Sequence, residues 1–198
     1  MAVRYTGLLA HDGVDRGLIG PREIDRLWDR HVLNCAMPAE LLPPACSVVD
    51  VGSGAGLPGI VLALARPDLQ MTLVEPMQRR SVFLEECVAA LALEAAVSVR
   101  RTRAEQLHGV LTADVVTARA LAPLRRLIPL CWPLVRRGGF VLAVKGSQAR
   151  TELARDRDVL PPGTSGTVVQ CGLGRIVPPT TVVLIRGGAR GDQAMAQT

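Results

Sequence analysis

The pattern of apolar and polar positions along the chain changes near residue 45. Before that point, apolar residues from Ile24 to Cys35 recur at helical spacing, so a helix is predicted over about 21–37 with Pro21 at its first position. Residues 1–20 show little periodicity and are expected to form a loose arm. After residue 45, short apolar runs alternate with longer amphipathic stretches, which predicts β-strands alternating with α-helices.

Seven of the apolar runs have the length and residue types of strands. They cover 46–51, 71–75, 96–100, 114–120, 140–146, 167–173 and 180–187. Helices are predicted over 57–65, 76–93, 123–139 and about 148–158. Because no long helix separates the last two strands, we expect them to pair antiparallel. The predicted fold is α/β and Rossmann-like, with a seven-stranded, mostly parallel sheet that ends in a C-terminal antiparallel hairpin.

The domain organisation follows from the same pattern. We expect residues 1–44 to be an arm and a helix that pack on the core, 45–187 to be the α/β domain, and 188–198 to be a disordered tail. A chain of 198 residues that is 48% hydrophobic is long and apolar enough for one such domain. Apolar runs fall short of a membrane span, and the N-terminal residues do not resemble a signal peptide, so a cytoplasmic location is expected. We also expect the protein to be a monomer.

Positive charge is carried almost entirely by arginine. The net charge is +5 and Lys145 is the only lysine, while arginines cluster in short groups such as Arg125–Arg126. Guanidinium groups suit phosphate, so these clusters favour contact with nucleic acid, although a solvated surface with salt bridges would give the same pattern. The five cysteines are scattered without a C-x-x-C pair, which predicts buried free thiols and no metal site.

A glycine-rich turn follows the first predicted strand in the stretch VVDVGSGAGLPG. Gly52, Gly54 and Gly56 allow a sharp turn and close approach of a ligand to the backbone. Glu75 ends the second strand, where a carboxylate accepts hydrogen bonds from ribose hydroxyls, although a plain helix-start acid would also stand there. A phosphate-binding loop of the Walker type is excluded because no Gly-Lys-Ser/Thr occurs. The sequence therefore predicts a cofactor that contains an adenosine-type nucleoside.

The glycines alone fit both NAD and S-adenosylmethionine. Chain length leaves little room for a second nucleotide-binding half, and Tyr5 is the only tyrosine, so a Tyr-x-x-x-Lys dehydrogenase pair is absent. These observations favour S-adenosylmethionine. Three functions remain open on this basis: an RNA methyltransferase, a small-molecule methyltransferase, and a non-catalytic nucleotide- or RNA-binding module.

Several motifs together resemble one family. The glycine turn and its continuation to Glu86, the earlier LWDRHVLNC, and the later RAEQL, VVTARALAPL and LAVKG are similar to the ribosomal RNA small-subunit methyltransferase G family, also called glucose-inhibited division protein B. The similarity covers about residues 22–150. It implies a class I S-adenosylmethionine-dependent methyltransferase fold. It also implies methylation of N7 of one guanine in 16S ribosomal RNA, on naked RNA or on a small-subunit particle.

The resemblance also implies roles for individual residues. Gly52 and Leu57 would line the methionine and ribose end of the cofactor, and Glu75 would bind the ribose. Ala104 and Glu105 would flank the adenine. Arg119 would lie near the cofactor carboxylate or the reacting atoms, with Lys145 beside it. We assign Arg119 and Lys145 to holding a guanine O6, a phosphate or the cofactor carboxylate; the alternatives are an ion pair of Arg119 with Glu105 or Asp114 and a surface position for Lys145.

Enzymes for other nucleic-acid methylations have sequence motifs that this chain lacks. There is no N/D-P-P-Y/F turn for amino methylation, no cysteine after proline for C5 methylation, and too few lysines for a ribose-methylating Lys-Asp-Lys-Glu set. Guanine N7 carries a free lone pair, so its methylation needs alignment and not a base. Arg30 and His31 are candidates for covering the cofactor cleft or contacting RNA, against the plainer interpretation of His31 as a helix residue packed on the sheet, and Trp28 is predicted to be core.

Overall fold

A seven-stranded sheet forms the centre of the protein. The computed structural model describes residues 1–187. The strands are β1 (Ser47–Val51), β2 (Gln70–Val74), β3 (Val97–Arg100), β4 (Ala113–Arg119), β5 (Val135–Lys145), β6 (Thr164–Cys171) and β7 (Thr180–Gly187). Their order across the sheet is β3-β2-β1-β4-β5-β7-β6, and the first five are parallel. Strand β7 pairs antiparallel with both β5 and β6, so the predicted terminal hairpin is confirmed.

Helices cover both faces of this sheet. They are α1 (Ala2–Leu8), α2 (Asn34–Ala36), α3 (Gly59–Ala65), α4 (Gln78–Ala90), α5 (Leu124–Cys131) and α6 (Ala149–Arg155). One buried cluster lies under the N-terminal residues, α3 and α4, and a second lies under α5 and α6. Because both faces are covered, the central strands are mostly apolar; the buried polar residues within β1 and β4 are Asp50 and Thr117. The predicted parallel α/β sheet is confirmed.

The first twenty residues pack against the core, so the expectation of a loose arm was wrong. Helix α1 continues into a π-helical turn at Leu9–Gly13, and both Tyr5 and Leu9 have no exposed surface. The mixture of α and π spacing breaks the 3.6-residue repeat. The apolar residues that are buried here therefore give no regular pattern in the sequence.

The segment from Pro21 to Leu41, hereafter the N-terminal helical segment, is helical as predicted but not a regular α-helix. It passes through a 3₁₀ turn, a π-helical stretch at Leu27–Leu33, the short α2 and a second 3₁₀ turn. The wider π turns rotate the buried face, so Leu27 is buried while its neighbour Trp28 is 40% exposed. The assignment of Trp28 to the core was therefore wrong.

The boundary between α5 and β5 differs most from the prediction. The helix predicted over 123–139 ends at Cys131, and a short 3₁₀ turn leads into β5 at Val135. Strand β5 starts early because its first residues pair with Ala113 across an irregular register of β4. The predicted tail at 188–198 lies outside the described residues.

Candidate functional site

The glycine turn joins β1 to α3 at the carboxyl end of the sheet. Gly52 and Gly56 both have positive φ, +70° and +92°. A Cβ on Gly52 would lie 2.5 Å from Leu121 Cδ1, and a Cβ on Gly56 would lie 2.5 Å from Ile60 Cδ1. The positive φ therefore favours glycine at both positions, and a Cβ there would also displace a neighbouring side chain.

Gly54 differs from Gly52 and Gly56 because no side chain lies close to the position that its Cβ would take. It has φ of +57°, and a Cβ placed there would meet only the carbonyl oxygen of Gly52, at 3.8 Å. The backbone of the turn is thus bare at its middle glycine. A flat ligand has room to lie against it there.

Asp50 is a buried acid whose hydrogen bonds stabilise the glycine turn. Its Oδ2 accepts a hydrogen bond from the Gly59 N–H at 3.1 Å, and its backbone carbonyl accepts one from the Ser53 hydroxyl at 2.9 Å. Its other oxygen, Oδ1, is buried and has no partner among the described residues. Burial raises the pKa of this carboxyl to about 7, against the lowering effect of its hydrogen bonds and of Arg119.

Glu75 lies just after β2 with its carboxylate directed to the glycine turn. Its Oε2 accepts a hydrogen bond from the Gly54 N–H at 3.1 Å, and its Oε1 accepts one from the Met77 N–H at 3.0 Å. The side chain is 2% exposed and has Arg80 Nη1 at 3.8 Å. Two backbone N–H groups therefore fix the carboxylate at the edge of the turn.

A pocket of about 510 Å³ opens beside Glu75. Its lining comes from two loops that follow neighbouring strands β2 and β3: Pro76, Met77, Gln78, Arg101, Thr102, Arg103 and Gln106. Ala104 is buried and Glu105 is exposed at the start of the 3₁₀ turn that ends this second loop. A planar ring bound in this pocket would therefore lie next to the Glu75 carboxylate.

Arg119 ends β4 and reaches the N-terminal helical segment. Its guanidinium donates to Cys35 Sγ at 2.9 Å, to the Arg30 carbonyl at 3.1 Å and to His31 Nδ1 at 3.1 Å. All three acceptors are neutral: one is a carbonyl, burial raises the pKa of the Cys35 thiol to about 11, and burial lowers the pKa of the His31 ring. The alternative ion pair with Glu105 or Asp114 is not formed; Asp114 binds Ser47 and Arg136 instead.

Lys145 ends β5, one position beyond the residue that pairs with Arg119. Its Nζ donates to the Ala122 carbonyl at 2.8 Å and to Glu152 Oε1 at 2.9 Å. Both side chains are largely covered, at 11% and 15% exposed. Glu152 Oε1 also accepts from the Leu124 N–H at 2.6 Å, so Lys145 joins β5 to the starts of α5 and α6.

The other predicted site residues differ in their exposure and in their contacts. Arg30, Glu105 and Arg126 are exposed, and Leu57 and His31 are half-buried. Arg125 is engaged by the protein, with Nη2 at 2.5 Å from Asp158 Oδ1 and Nε at 3.5 Å from Asp156 Oδ1.

Two contacts of the site were missed by the sequence analysis. The Tyr5 hydroxyl donates to the Ala55 carbonyl inside the glycine turn at 2.7 Å, and Glu23 accepts from the His31 ring at 2.8 Å. Tyr5 stands 50 positions before its partner in a segment without periodicity, so no local signal marks it. Glu23 stands eight positions before His31, a spacing that a regular helix does not bring together.

Comparison with known proteins decides the family. The model of rRNA small subunit methyltransferase G, the GidB family, matches residues 1–164 of the chain. The chain belongs to the rRNA small subunit methyltransferase G family. The match extends over the first twenty-one residues, beyond the stretch of about 22–150 that the motifs indicated.

Relatives within the rRNA small subunit methyltransferase G family are similar over nearly the whole chain. The protein of that name from Salinispora arenicola is 57% identical over 94% of this chain and 80% of its own length. The one from Thermobifida fusca is 54% identical over 93% of this chain and 78% of its own. The chain is therefore a methyltransferase, as the motifs predicted.

Solved structures confirm the class I methyltransferase fold. A SAM-dependent O-methyltransferase from Thermotoga maritima has a TM-score of 0.60 at 13% identity, over 85% of this chain and 71% of that one. A precorrin-6y C5,15-methyltransferase from Geobacter metallireducens has a TM-score of 0.57 at 14% identity, over 87% and 91%. Their different substrates show that the fold alone does not specify the substrate of this family member.

Within residues 1–187, no helix is long and apolar enough to cross a membrane. The same residues contain no group of His, Cys, Asp or Glu arranged to hold a metal ion. The five cysteines are all buried and unpaired, as predicted.

Proposed function

We propose that the protein transfers the methyl group of S-adenosylmethionine to N7 of one guanine in 16S ribosomal RNA. The observation that carries this proposal is the match of the methyltransferase G family model over residues 1–164. Methylation of small-subunit ribosomal RNA is the activity that names this family. The nitrogen atom and the single guanine are the finer part of the proposal.

The residues around the glycine turn fit S-adenosylmethionine, which supplies an electrophilic methyl group on a positively charged sulfur. The bare face of Gly54 leaves space for the flat part of the cofactor. The Glu75 carboxylate bonds to the Gly54 N–H of that turn and would accept hydrogen bonds from the ribose hydroxyls. The pocket beside it, which includes Gln106 and lies next to Ala104 and Glu105, would take the adenine. Gly52 and Leu57 would border the methionine end.

Methylation of N7 sets a modest chemical task for the protein. The nitrogen already has a lone pair, so no side chain has to remove a proton. The task is alignment of nitrogen, methyl and sulfur, which contributes up to about 7–11 kcal/mol in well-oriented reactions. Arg119 suits this task because its three acceptors are neutral and its positive charge is free to bind a carboxylate, a phosphate or a guanine O6.

Lys145 supports the same site from the neighbouring strand. Its bond to the Ala122 carbonyl fixes the loop after β4. That loop carries Leu121, which packs against Gly52. We therefore propose that Lys145 acts on the site through this loop, in addition to any direct contact with the substrate.

The state of the cysteines argues against C5 methylation of a pyrimidine. C5 methylation of pyrimidines requires a cysteine nucleophile, and a reactive cysteine has a lowered pKa. Burial instead raises the pKa of the Cys131 thiol and of the Cys171 thiol to about 12. Neither thiol is suited to attack a base.

RNA is proposed to contact the exposed side chains of Arg126 and Arg30, with His31 next to Arg30 in the chain. Arg30 and Arg125 are weaker candidates for phosphate binding than Arg126, because Glu23 pairs with Arg30 and Asp156 and Asp158 pair with Arg125. A ribosomal RNA substrate implies that the enzyme works in the cytoplasm, and we propose that it does so as a monomer. Light scattering of the purified protein checks the oligomeric state.

The proposal is tested by methylating small subunits purified from a strain that lacks the enzyme, with methyl-labelled S-adenosylmethionine. We expect one labelled nucleotide, 7-methylguanosine, identified by nuclease digestion and mass spectrometry. Arg119→Ala serves as the low-activity control. Label on a different atom or base would overturn the N7 assignment, and label only on small molecules of the extract would favour a small-molecule methyltransferase.

A further inference from the structure

His31 and Glu23 form a hydrogen-bonded chain that ends on Arg119. Glu23 Oε2 lies 2.8 Å from His31 Nε2, and His31 Nδ1 lies 3.1 Å from Arg119 Nη2. The two outer residues come from the N-terminal helical segment and from the end of β4. Under the proposed function, on which this inference rests, Arg119 binds the cofactor or the guanine. We propose that His31 is a positioning residue, which with Glu23 fixes the direction of the Arg119 guanidinium and works in its neutral form.

The partners of the ring determine its tautomer. A guanidinium has only N–H donors and no acceptor, so His31 Nδ1 must present a lone pair to Arg119. The hydrogen of the neutral ring is then on Nε2, where it is donated to the Glu23 carboxylate. Glu23 therefore selects the one tautomer that accepts from Arg119. The His31 side chain is 14% exposed, so water competes little for either bond.

The charges that face His31 favour the neutral ring. Arg119 on β4 and Arg30 on the same segment are positive, while Glu23 is negative; Cys35 and Asp50 lie beyond Arg119. Burial lowers the pKa of His31, the Glu23 hydrogen bond raises it, and Arg119 lowers it, with a net lowering. Protonation of Nδ1 would place a donor against the donors of Arg119. The guanidinium would then lose one of its three acceptors as the pH falls.

Two substitutions separate positioning from simple packing. In His31→Asn, the side-chain oxygen lies near the position of Nδ1, accepts from Arg119 and does not titrate. In His31→Gln, the longer amide reaches toward Glu23 instead. We expect His31→Gln to lower kcat about tenfold, close to one charge-assisted hydrogen bond, and His31→Asn to keep most of kcat. Arg16→Gln, which breaks the exposed Arg16–Glu86 ion pair of the same N-terminal region, is the matched control.

The first measurement is kcat and KM for methylation of small subunits between pH 5 and 8. Wild type and Arg16→Gln are expected to lose kcat toward acid pH, and His31→Asn is expected to lose this dependence. In an Arg119→Ala background, His31→Gln should cost nothing further. Equal activity and equal pH profiles of the Asn and Gln variants would overturn the proposal, as would a full additional loss in the Arg119→Ala background.

The second measurement needs no RNA and keeps the test independent of the proposed function. Nitrogen-15 NMR of the histidine rings reports which nitrogen carries the proton. We expect the Nε2–H tautomer for His31 in the wild type and a shift toward a mixture of tautomers in Glu23→Gln. A wild-type His31 with its proton on Nδ1 would overturn the positioning proposal even if 7-methylguanosine is formed. Failure to form 7-methylguanosine with the expected tautomer would overturn only the proposed function.

Discussion

Arg119 and Lys145 occupy neighbouring strand ends but have opposite surroundings. Each is a cation at the carboxyl edge of the sheet, next to the glycine turn or to the loop that packs on it. The guanidinium of Arg119 bonds only to neutral groups: a thiol, a carbonyl and an imidazole. The ammonium of Lys145 is paired with the Glu152 carboxylate at 2.9 Å. The charge of Arg119 is therefore held in place by neutral groups, whereas the charge of Lys145 is neutralised by a carboxylate of the protein.

This difference separates two kinds of residue that the sequence could not distinguish. A partly covered cation with neutral acceptors costs desolvation energy that an anionic ligand recovers on binding. A cation in a covered ion pair fixes two elements together, and breaking it leaves a charge without a partner. We therefore propose that Arg119 takes part in ligand binding and that Lys145 serves first to hold the framework together.

The largest effect is expected from the pH dependence of stability at Asp50, which faces Arg119. Burial raises its pKa in the folded protein to about 7, from an ordinary value of 3.8. The folded state therefore binds a proton that the unfolded state has lost, so this group makes stability fall as pH rises from about 4 to about 7. The fall amounts to about 4 kcal/mol at 1.36 kcal/mol per pKa unit.

Urea denaturation from pH 4 to 8 checks this, with Asp50→Asn as the comparison. The difference in unfolding free energy between variant and wild type should change across that window and level off above about pH 7. Arg119→Gln should extend the change to higher pH, because the guanidinium lowers the pKa of Asp50. Lys145→Met should leave the pH range of this change unaltered. A difference that stays constant with pH would contradict the buried, proton-binding carboxyl.

The next effect is the loss of catalysis in Arg119→Ala. Removing a charged hydrogen-bonding group from a ligand site costs about 2–3 kcal/mol, so kcat/KM for small-subunit methylation should fall about 100-fold. Arg136→Ala is the matched control, since Arg136 pairs with Asp114 at the opposite end of β4. It should keep near-normal kcat/KM. Equal losses in both variants would mean that the effect comes from the strand and not from the ligand site.

Lys145→Met should instead act first on stability. It leaves the Glu152 carboxylate, 15% exposed, with only the Leu124 N–H as partner, for an expected loss of about 2 kcal/mol. The double variant Lys145→Met/Glu152→Gln should lose less than the sum of the single variants, measured by urea denaturation. If Lys145→Met is as stable as wild type but loses as much kcat/KM as Arg119→Ala, the two cations have the same role after all.

The smallest effect is expected in Tyr5→Phe, which removes one hydroxyl on the Arg119 side of the site. The buried Ala55 carbonyl then loses its hydrogen bond, at a cost of about 1–2 kcal/mol. Thermal unfolding measures this loss. Titration with S-adenosylmethionine should show weaker binding, because the turn that carries Gly54 is less firmly held. Unchanged binding would show that the turn keeps its shape without the N-terminal contact.

The features that the sequence predicted are those with a local or repeating signal. The seven strands follow from short apolar runs, the hairpin from the missing helix between β6 and β7, and the turn from Gly52, Gly54 and Gly56. The features that it missed depend on distant partners or on irregular helices. Arg119 meets His31 across 88 positions, and the π turns at Leu27–Leu33 rotate Trp28 to the surface. No alternation or helical repeat encodes either.

The bond between Tyr5 and Ala55 also constrains how the protein assembles during synthesis. Tyr5 leaves the ribosome 50 residues ahead of the carbonyl that accepts its hydroxyl. Helix α1 must therefore wait, with its apolar side uncovered, until β1, the glycine turn and α3 have followed. Helix α1 is made before the first strand-turn-helix unit and reaches its final place only after that unit has formed.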